Sequence, residues 1–398
     1  MHLDRPRILV YYGKLVPRGG GEGVAAWILE ALRQDYALTL LTSEPVDFGL
    51  LDNHYGTSLA GFDIRVRTIP PLWRAFLGLD PDPGSFQKHA YLMRISKRIR
   101  HGYDLVLSAD SEGDFGAPAI QYIHYPILVH VYPSVRSSCD LPWVKKLACL
   151  SKGEIRPWML VADFSFERVK ANRTLVNSDW TGRWVKRVYG IDSTTVYPPA
   201  PGTFPDIPWE KREDGFVMIG RLSGEKQFDW GLKVLSLVRI KFPQVKMHVV
   251  GSSRHEARDY LPILHALVQA NSAWATLHEE ISREELAVLV ARQRYGMHAQ
   301  KDEHFGMAVA EMLRAGCIPF VHNSGGPPEI VGHDNRLMFD SAEEAAHKIM
   351  HVLGNPALQE ELRRKLAARK ERYSAATFVR AIRAEVELAL KARRSADL

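Results

Sequence analysis

The chain has 398 residues, 46% hydrophobic and 25% charged, with a formal net charge of +6. Its length suits two domains of ordinary size, each able to bury its own core. No run approaches 18 uninterrupted apolar residues, so no membrane span is expected. Cys139, Cys149 and Cys317 are scattered and odd in number, which points to a reducing compartment and argues against a disulfide framework or a zinc site.

In chain order, MHLDRPRILVYYG lacks the layout of a signal peptide, and RILVYY (7–12) reads as a strand. A glycine loop, KLVPRGGGEGV (14–24), then feeds a helix near 22–33. ALTLLTS (37–43), YDLVLSA (103–109), AIQYIHY (119–125), TLVNS (174–178) and TTVYP (194–198) read as further strands with helices between several of them. YPPAPGTFPDIP (197–208) carries five prolines and reads as a linker. Beyond it the alternation restarts with GFVMIGR, VKMHVVG, WATLHEE, YGMHA and CIPFVHN, and the tail from about 341 is helical. Such alternation predicts two open α/β domains with parallel sheets. Ligands of such sheets collect beyond the carboxyl ends of the strands, so chemically suggestive residues should fall there.

They do. Glu303 and Glu311 lie eight residues apart around Phe305-Gly306, which predicts a helix opening there and closing at Gly316. Eight helical residues would rise about 12 Å, with the helix N-terminus aimed at phosphates between the two carboxylates. The plainer reading is a solvated helix with two surface glutamates. GRLSGEKQ (220–227) places Arg221 and Lys226 where they could face a diphosphate leaving group, or form a surface salt bridge. HNSGGPPEIV (322–331) offers Gly325 and Gly326 for close backbone approach to an anion, with a tight turn as the alternative. Gly20 and Gly21 could admit a phosphate or sugar at a helix N-terminus. A dinucleotide site fits less well, because G-x-G-x-x-G is not met. His124 ends an apolar strand, where a satisfied core histidine is the plainer reading.

The order GGGE, strand-ending His, GR-x₃-EK, E-H-F-G-x₄-E and N-S-G-G-P-x-E resembles the retaining glycosyltransferases of family 4. YIHYP, VNSDWT (176–181) and EHFGMAVAEML look most like the dolichol-pathway mannosyltransferases within it. The resemblance implies a GT-B fold: two Rossmann-like open parallel-sheet domains facing a central cleft, an acceptor-binding domain over 1–198 and a donor-binding domain over 199–375. A C-terminal helix at about 376–398 would pack back on the first domain. It further implies that Arg221 and Lys226 hold the donor diphosphate, Glu311 the ribose and Glu303 the sugar hydroxyls. Backbone around Phe305, Gly306 and Met307 would contact sugar and phosphate, along with Gly325 and Gly326. Gly20, Gly21 and Glu22 would border the diphosphate, and His124 would sit by the donor sugar.

The expected activity is transfer of a hexose, with a lean to mannose, from a GDP- or UDP-sugar to a hydroxyl of a glycan, glycolipid or small molecule. No nucleophile is evident, so a front-face substitution that needs no metal is expected. Asp80-Pro81-Asp82 formally matches D-x-D but reads as a turn, and no metal site is predicted. Alternatives are a UDP-sugar transferase with a non-lipid acceptor such as a polysaccharide or modified nucleic-acid base, an epimerase, or a non-transferring binder. A nucleic-acid partner is disfavoured for want of a dense basic patch with interleaved aromatics. Residues 141–160 mix Trp143 and Trp158 with four basic residues. They suit either an interfacial helix on anionic membrane or a core helix with a basic face, as does the run 94–104. The expected location is the cytoplasm, with peripheral contact at the cytosolic membrane face on the first of those readings.

Overall fold

The computed structural model describes residues 5–17, 19–77, 86–130, 155–200, 202–252 and 259–396. Asp80, Asp82 and residues 141–154 of the basic Trp-containing segment 141–160 lie outside them. The chain forms two compact units, Met1–Tyr197 with Phe378–Leu398, and Pro198–Thr377.

The first unit is built on seven parallel strands: β1 (Arg7–Tyr11), β2 (Ala37–Thr42), β3 (Arg65–Thr68), β4 (Leu105–Ser108), β5 (Ile120–Ile123), β6 (Arg173–Val176) and β7 (Thr194–Thr195), in the order 3-2-1-4-5-6-7. Apolar runs rather than alternation mark β1 because both of its faces are covered. Ile8 and Val10 enter one core layer, Leu9 and Tyr11 the other. The helix Gly20–Leu32 covers the first layer together with the end of the chain. Phe378, Ile382, Val386 and Leu390 of the helix Ala375–Ala396 recur every four residues and are buried in that layer. Each such side chain contributes roughly 1.5–3 kcal/mol. Arg383 adds a hydrogen bond to the Ala31 carbonyl at 2.7 Å, and Arg173 pairs with Glu385.

The second unit has six parallel strands, β8 (Glu213–Ile219), β9 (Lys246–Gly251), β10 (Ala275–Glu279), β11 (Gln293–His298), β12 (Ile318–His322) and β13 (Met338–Phe339), in the order 10-9-8-11-12-13. Both sheets therefore reverse their winding at one place, between β1 and β4 in the first and between β8 and β11 in the second.

The strand reading needs correction in places. β3 was not anticipated: Arg65 and Arg67 break its apolar pattern, as an exposed edge strand permits. The 194–198 strand shrinks to two residues. In the run 94–104, read as either an interfacial or a core helix, part of the charge turns inward. Lys97 is buried, donating to Asp114 at 2.8 Å and to the carbonyls of Ala162 and Asp163. Arg168 joins the same fully buried carboxylate. Trp158 likewise packs against Ala90, Met93 and Ala162.

Candidate functional site

The switch point of the second sheet gathers charge. Lys226 Nζ donates to Glu303 Oε2 at 2.7 Å, and both side chains are less than one-fifth exposed. The turn Gly224–Lys226, followed by Gln227 at φ 53, folds the lysine back toward β8 before the helix Phe228–Arg239 begins. Its stem lies over Gly220, where a Cβ would sit 3.2 Å from the lysine Cγ and Cδ. His298, the last residue of β11, presents Nε2 3.6 Å from the same glutamate oxygen. Burial alone would raise the Glu303 carboxyl. The Lys226 ammonium, helped by His298, outweighs burial and holds Glu303 well below the usual carboxylate range.

Gly306 at φ 99 starts the helix Met307–Ala315, with no side chain capping it, and Gly316 at φ 89 ends it. The amides of the first turn thus carry the free donors and the positive dipole end. The expectation of eight helical residues between the glutamates is wrong: 303–306 is a turn, and the helix runs only from Met307 to Glu311 over that span, about 6 Å of rise. Glu311 is buried and pairs with Arg283 at 2.7 Å. The Phe305 ring is buried near Tyr373, leaving its backbone to face the turn.

The glycine pair of HNSGGP has a specific job. A Cβ on Gly325, itself at φ 84, would fall 2.1 Å from the Glu303 carbonyl oxygen, and one on Gly326 would fall 2.5 Å from that of His304. Gly326 N–H donates to the Glu303 carbonyl at 2.8 Å, and Ser324 Oγ accepts from Asp302 N–H at 2.8 Å. That loop is therefore stitched to the backbone carrying Glu303, and the Gly326 amide is already committed there. Arg221 pairs with Glu225 at 2.5 Å on the surface.

In the first unit, Gly20 and Gly21 open the helix Gly20–Leu32 and Glu22 lies in its first turn. A Cβ on Gly21 would lie 3.2 Å from the Tyr12 hydroxyl and 3.9 Å from His124 Nε2, so loop and histidine do converge. His124 Nε2 is 2.8 Å from the Ala109 carbonyl, which can only accept, so Nε2 carries the proton. Burial lowers the ring's basicity, and the imidazole is favoured neutral.

Residues 203–372 match the family model for glycosyl transferases group 1. The chain is 28% identical over 230 residues to GDP-Man:Man(3)GlcNAc(2)-PP-Dol alpha-1,2-mannosyltransferase of Dictyostelium discoideum, covering 51% of this chain and 45% of that one. With the human protein of the same name it shares 26% over 360 residues, covering 83% and 68%. Over the second unit the chain is thus similar to the glycosyl transferases of group 1. Its backbone follows HepE of Anabaena in complex with UDP, with a TM-score of 0.66 at 16% identity, covering 96% and 99%. It also follows the sucrose-phosphate synthase of Thermosynechococcus elongatus, with a TM-score of 0.66 at 16% identity, covering 98% and 100%. Those likenesses establish the GT-B fold. The chain spans less than half the length of the Dictyostelium relative and about two thirds of the human one.

The sequence reading singled out Lys226, Glu303 and Glu311 but not His298 or Arg283, which stand beside the two glutamates. His298 ends a strand that was recognised, and its alignment with Glu303 depends on the turn between them. Arg283 opens a helix through the capping box of Ser282 and Glu285, a signal that announces a helix start and nothing more. Among the described residues no helix is long and apolar enough to cross a membrane.

Proposed function

We propose that the chain transfers mannose from GDP-mannose to a hydroxyl of a lipid-linked glycan, with retention at the anomeric carbon. The observation that carries this reading is the Lys226–Glu303 pair at the second sheet's switch point, next to the uncapped helix at Met307. A cation and a helix N-terminus suit a diphosphate, while a carboxylate held ionised suits sugar hydroxyls. The relatives are named for GDP-mannose and a dolichol-linked acceptor. They support the choice of sugar and acceptor, and a lipid-linked acceptor would call for peripheral contact with a membrane.

Lys226 would neutralise the charge that grows on the departing diphosphate, and Glu303 would hold the mannose by its hydroxyls. Glu311 would receive the ribose, with Arg283 fixing its orientation. Arg221 would reach the diphosphate from the rim after leaving Glu225. In the first unit, Gly20, Gly21, Glu22 and His124 are assigned to substrate binding. In a front-face step the bond from the anomeric carbon to the diphosphate oxygen breaks. The acceptor oxygen bonds to that carbon on the same face, and its proton passes to the diphosphate. No metal is needed, because the lysine and the helix supply the positive field.

The test is calorimetry with GDP and UDP, followed by transfer assays with GDP-mannose and UDP-glucose, each with and without EDTA. Selective GDP binding and EDTA-insensitive mannose transfer are expected. Transfer from UDP-glucose alone would overturn the donor assignment, and abolition by EDTA would overturn the metal-free mechanism.

A further inference from the structure

We propose that Asp110 in the first unit receives a carbohydrate hydroxyl of the acceptor. The inference builds on the reading of the chain as a glycan-directed transferase. Asp110 lies two residues beyond β4, and Gly13 two residues beyond β1, so the pair occupies the switch point of the first sheet. Gly13 N–H donates to Asp110 Oδ2 at 2.6 Å, and His89 Nε2 is 3.6 Å from the same oxygen. The Tyr11 hydroxyl is 2.7 Å from His89 Nδ1. A carboxylate opposite Nε2 favours the tautomer with its proton there, leaving Nδ1 to accept from Tyr11.

Gly13 is required by this packing, since a Cβ would come within 2.7 Å of Oδ2 and 2.9 Å of His89 Cε1. One carboxylate oxygen is thereby fixed. The other accepts no hydrogen bond among the described residues, and the side chain keeps 18% of its surface exposed. Among those residues Asp110 has no lysine or arginine within ion-pair distance. A phosphate would be repelled by such a group, whereas a neutral sugar hydroxyl can donate to it.

The test titrates the soluble Man(3)GlcNAc(2) glycan into wild type, Asp110→Asn and Lys226→Ala by saturation-transfer NMR, with GDP binding measured alongside by calorimetry. Asparagine keeps a carbonyl oxygen for Gly13 N–H while turning the free position into a donor, so folding should survive; circular dichroism checks this. Glycan affinity should fall roughly 10–100-fold in Asp110→Asn, the range for a hydrogen bond to a charged group, with GDP binding retained. Lys226→Ala should show the reverse. Equal glycan affinity in wild type and Asp110→Asn would overturn the inference. So would parallel loss of glycan, GDP and circular-dichroism signal, which would make Asp110 a structural group. Glycan binding that depends on Asp110 without any GDP binding would uphold this inference and sink the donor assignment instead.

Discussion

The two sheets end in carboxylates held in opposite ways. At the second sheet, Glu303 touches an ammonium and sits beside a histidine, so its charge is compensated before any ligand arrives. At the first sheet, Asp110 is held by a backbone amide and an imidazole, and no lysine or arginine reaches it among the described residues. A switch-point carboxylate is thus paired with a cation in one unit and left without one in the other. What differs is the turn that follows the first strand of each. Gly224–Lys226 swings a cation inward, whereas Gly13 presents only its N–H.

The sharpest way to break the contrast is Lys226→Ala, which leaves Glu303 a buried carboxylate without its cation, more like Asp110. Turnover should drop roughly 10²–10³-fold, as when a comparable transition-state contact is removed, and Glu303→Ala should match it in steady-state assays. Near-normal rates in either would remove the pair from the mechanism. Gly325→Ala attacks the loop behind the glutamate. The clash with the Glu303 carbonyl and the left-handed backbone should cost about 1–3 kcal/mol in chemical denaturation, with weaker GDP binding. A stability equal to wild type would mean the loop is not fixed to 302–305.

Glu311→Gln separates ribose from diphosphate. GDP and guanosine should both lose about tenfold in affinity, near the value of one charge-assisted hydrogen bond, while Lys226→Ala should spare guanosine. Finally, the depressed Glu303 carboxyl makes the second unit sensitive to acid. In the unfolded chain it takes up a proton near 4.5, and in the folded chain only well below that. The stability it contributes is therefore complete above the ordinary value and is lost as pH falls toward the folded one. Glu303→Gln should flatten that part of the urea-midpoint profile, and an identical profile would show that the carboxylate is not held by Lys226.

Much of this was legible from residue order. Most strands of both sheets announced themselves through apolar runs, though not β3 or β13, and the helix from Met307 through glycines at both its ends. Lys226 and Glu303 were readable as candidates because each follows a strand, yet their contact was not. It depends on a left-handed Gln227 and on a turn at 303–306 that the sequence reading took for helix. Arg283, 28 positions before Glu311, and His89, 21 before Asp110, are long-range partners with no local pattern. The glycines of 325–326 carried a signal whose cause was misjudged, since they admit the chain's own backbone. β3 escaped because an exposed edge tolerates arginines.

The helix Ala375–Ala396 has a further consequence, for the order of synthesis. Its Phe378, Ile382, Val386 and Leu390 complete a core begun at Ile8, and the entire second unit is encoded in between. A ribosome adding about 5–20 residues per second would finish those 180 or so intervening positions in roughly 10–40 s. During that interval the first sheet has one flank uncovered while the second unit is free to fold. The second unit is thus expected to mature before the unit that precedes it in the chain. Until then the core layer that Ile8 and Val10 enter lacks the side chains of its last helix.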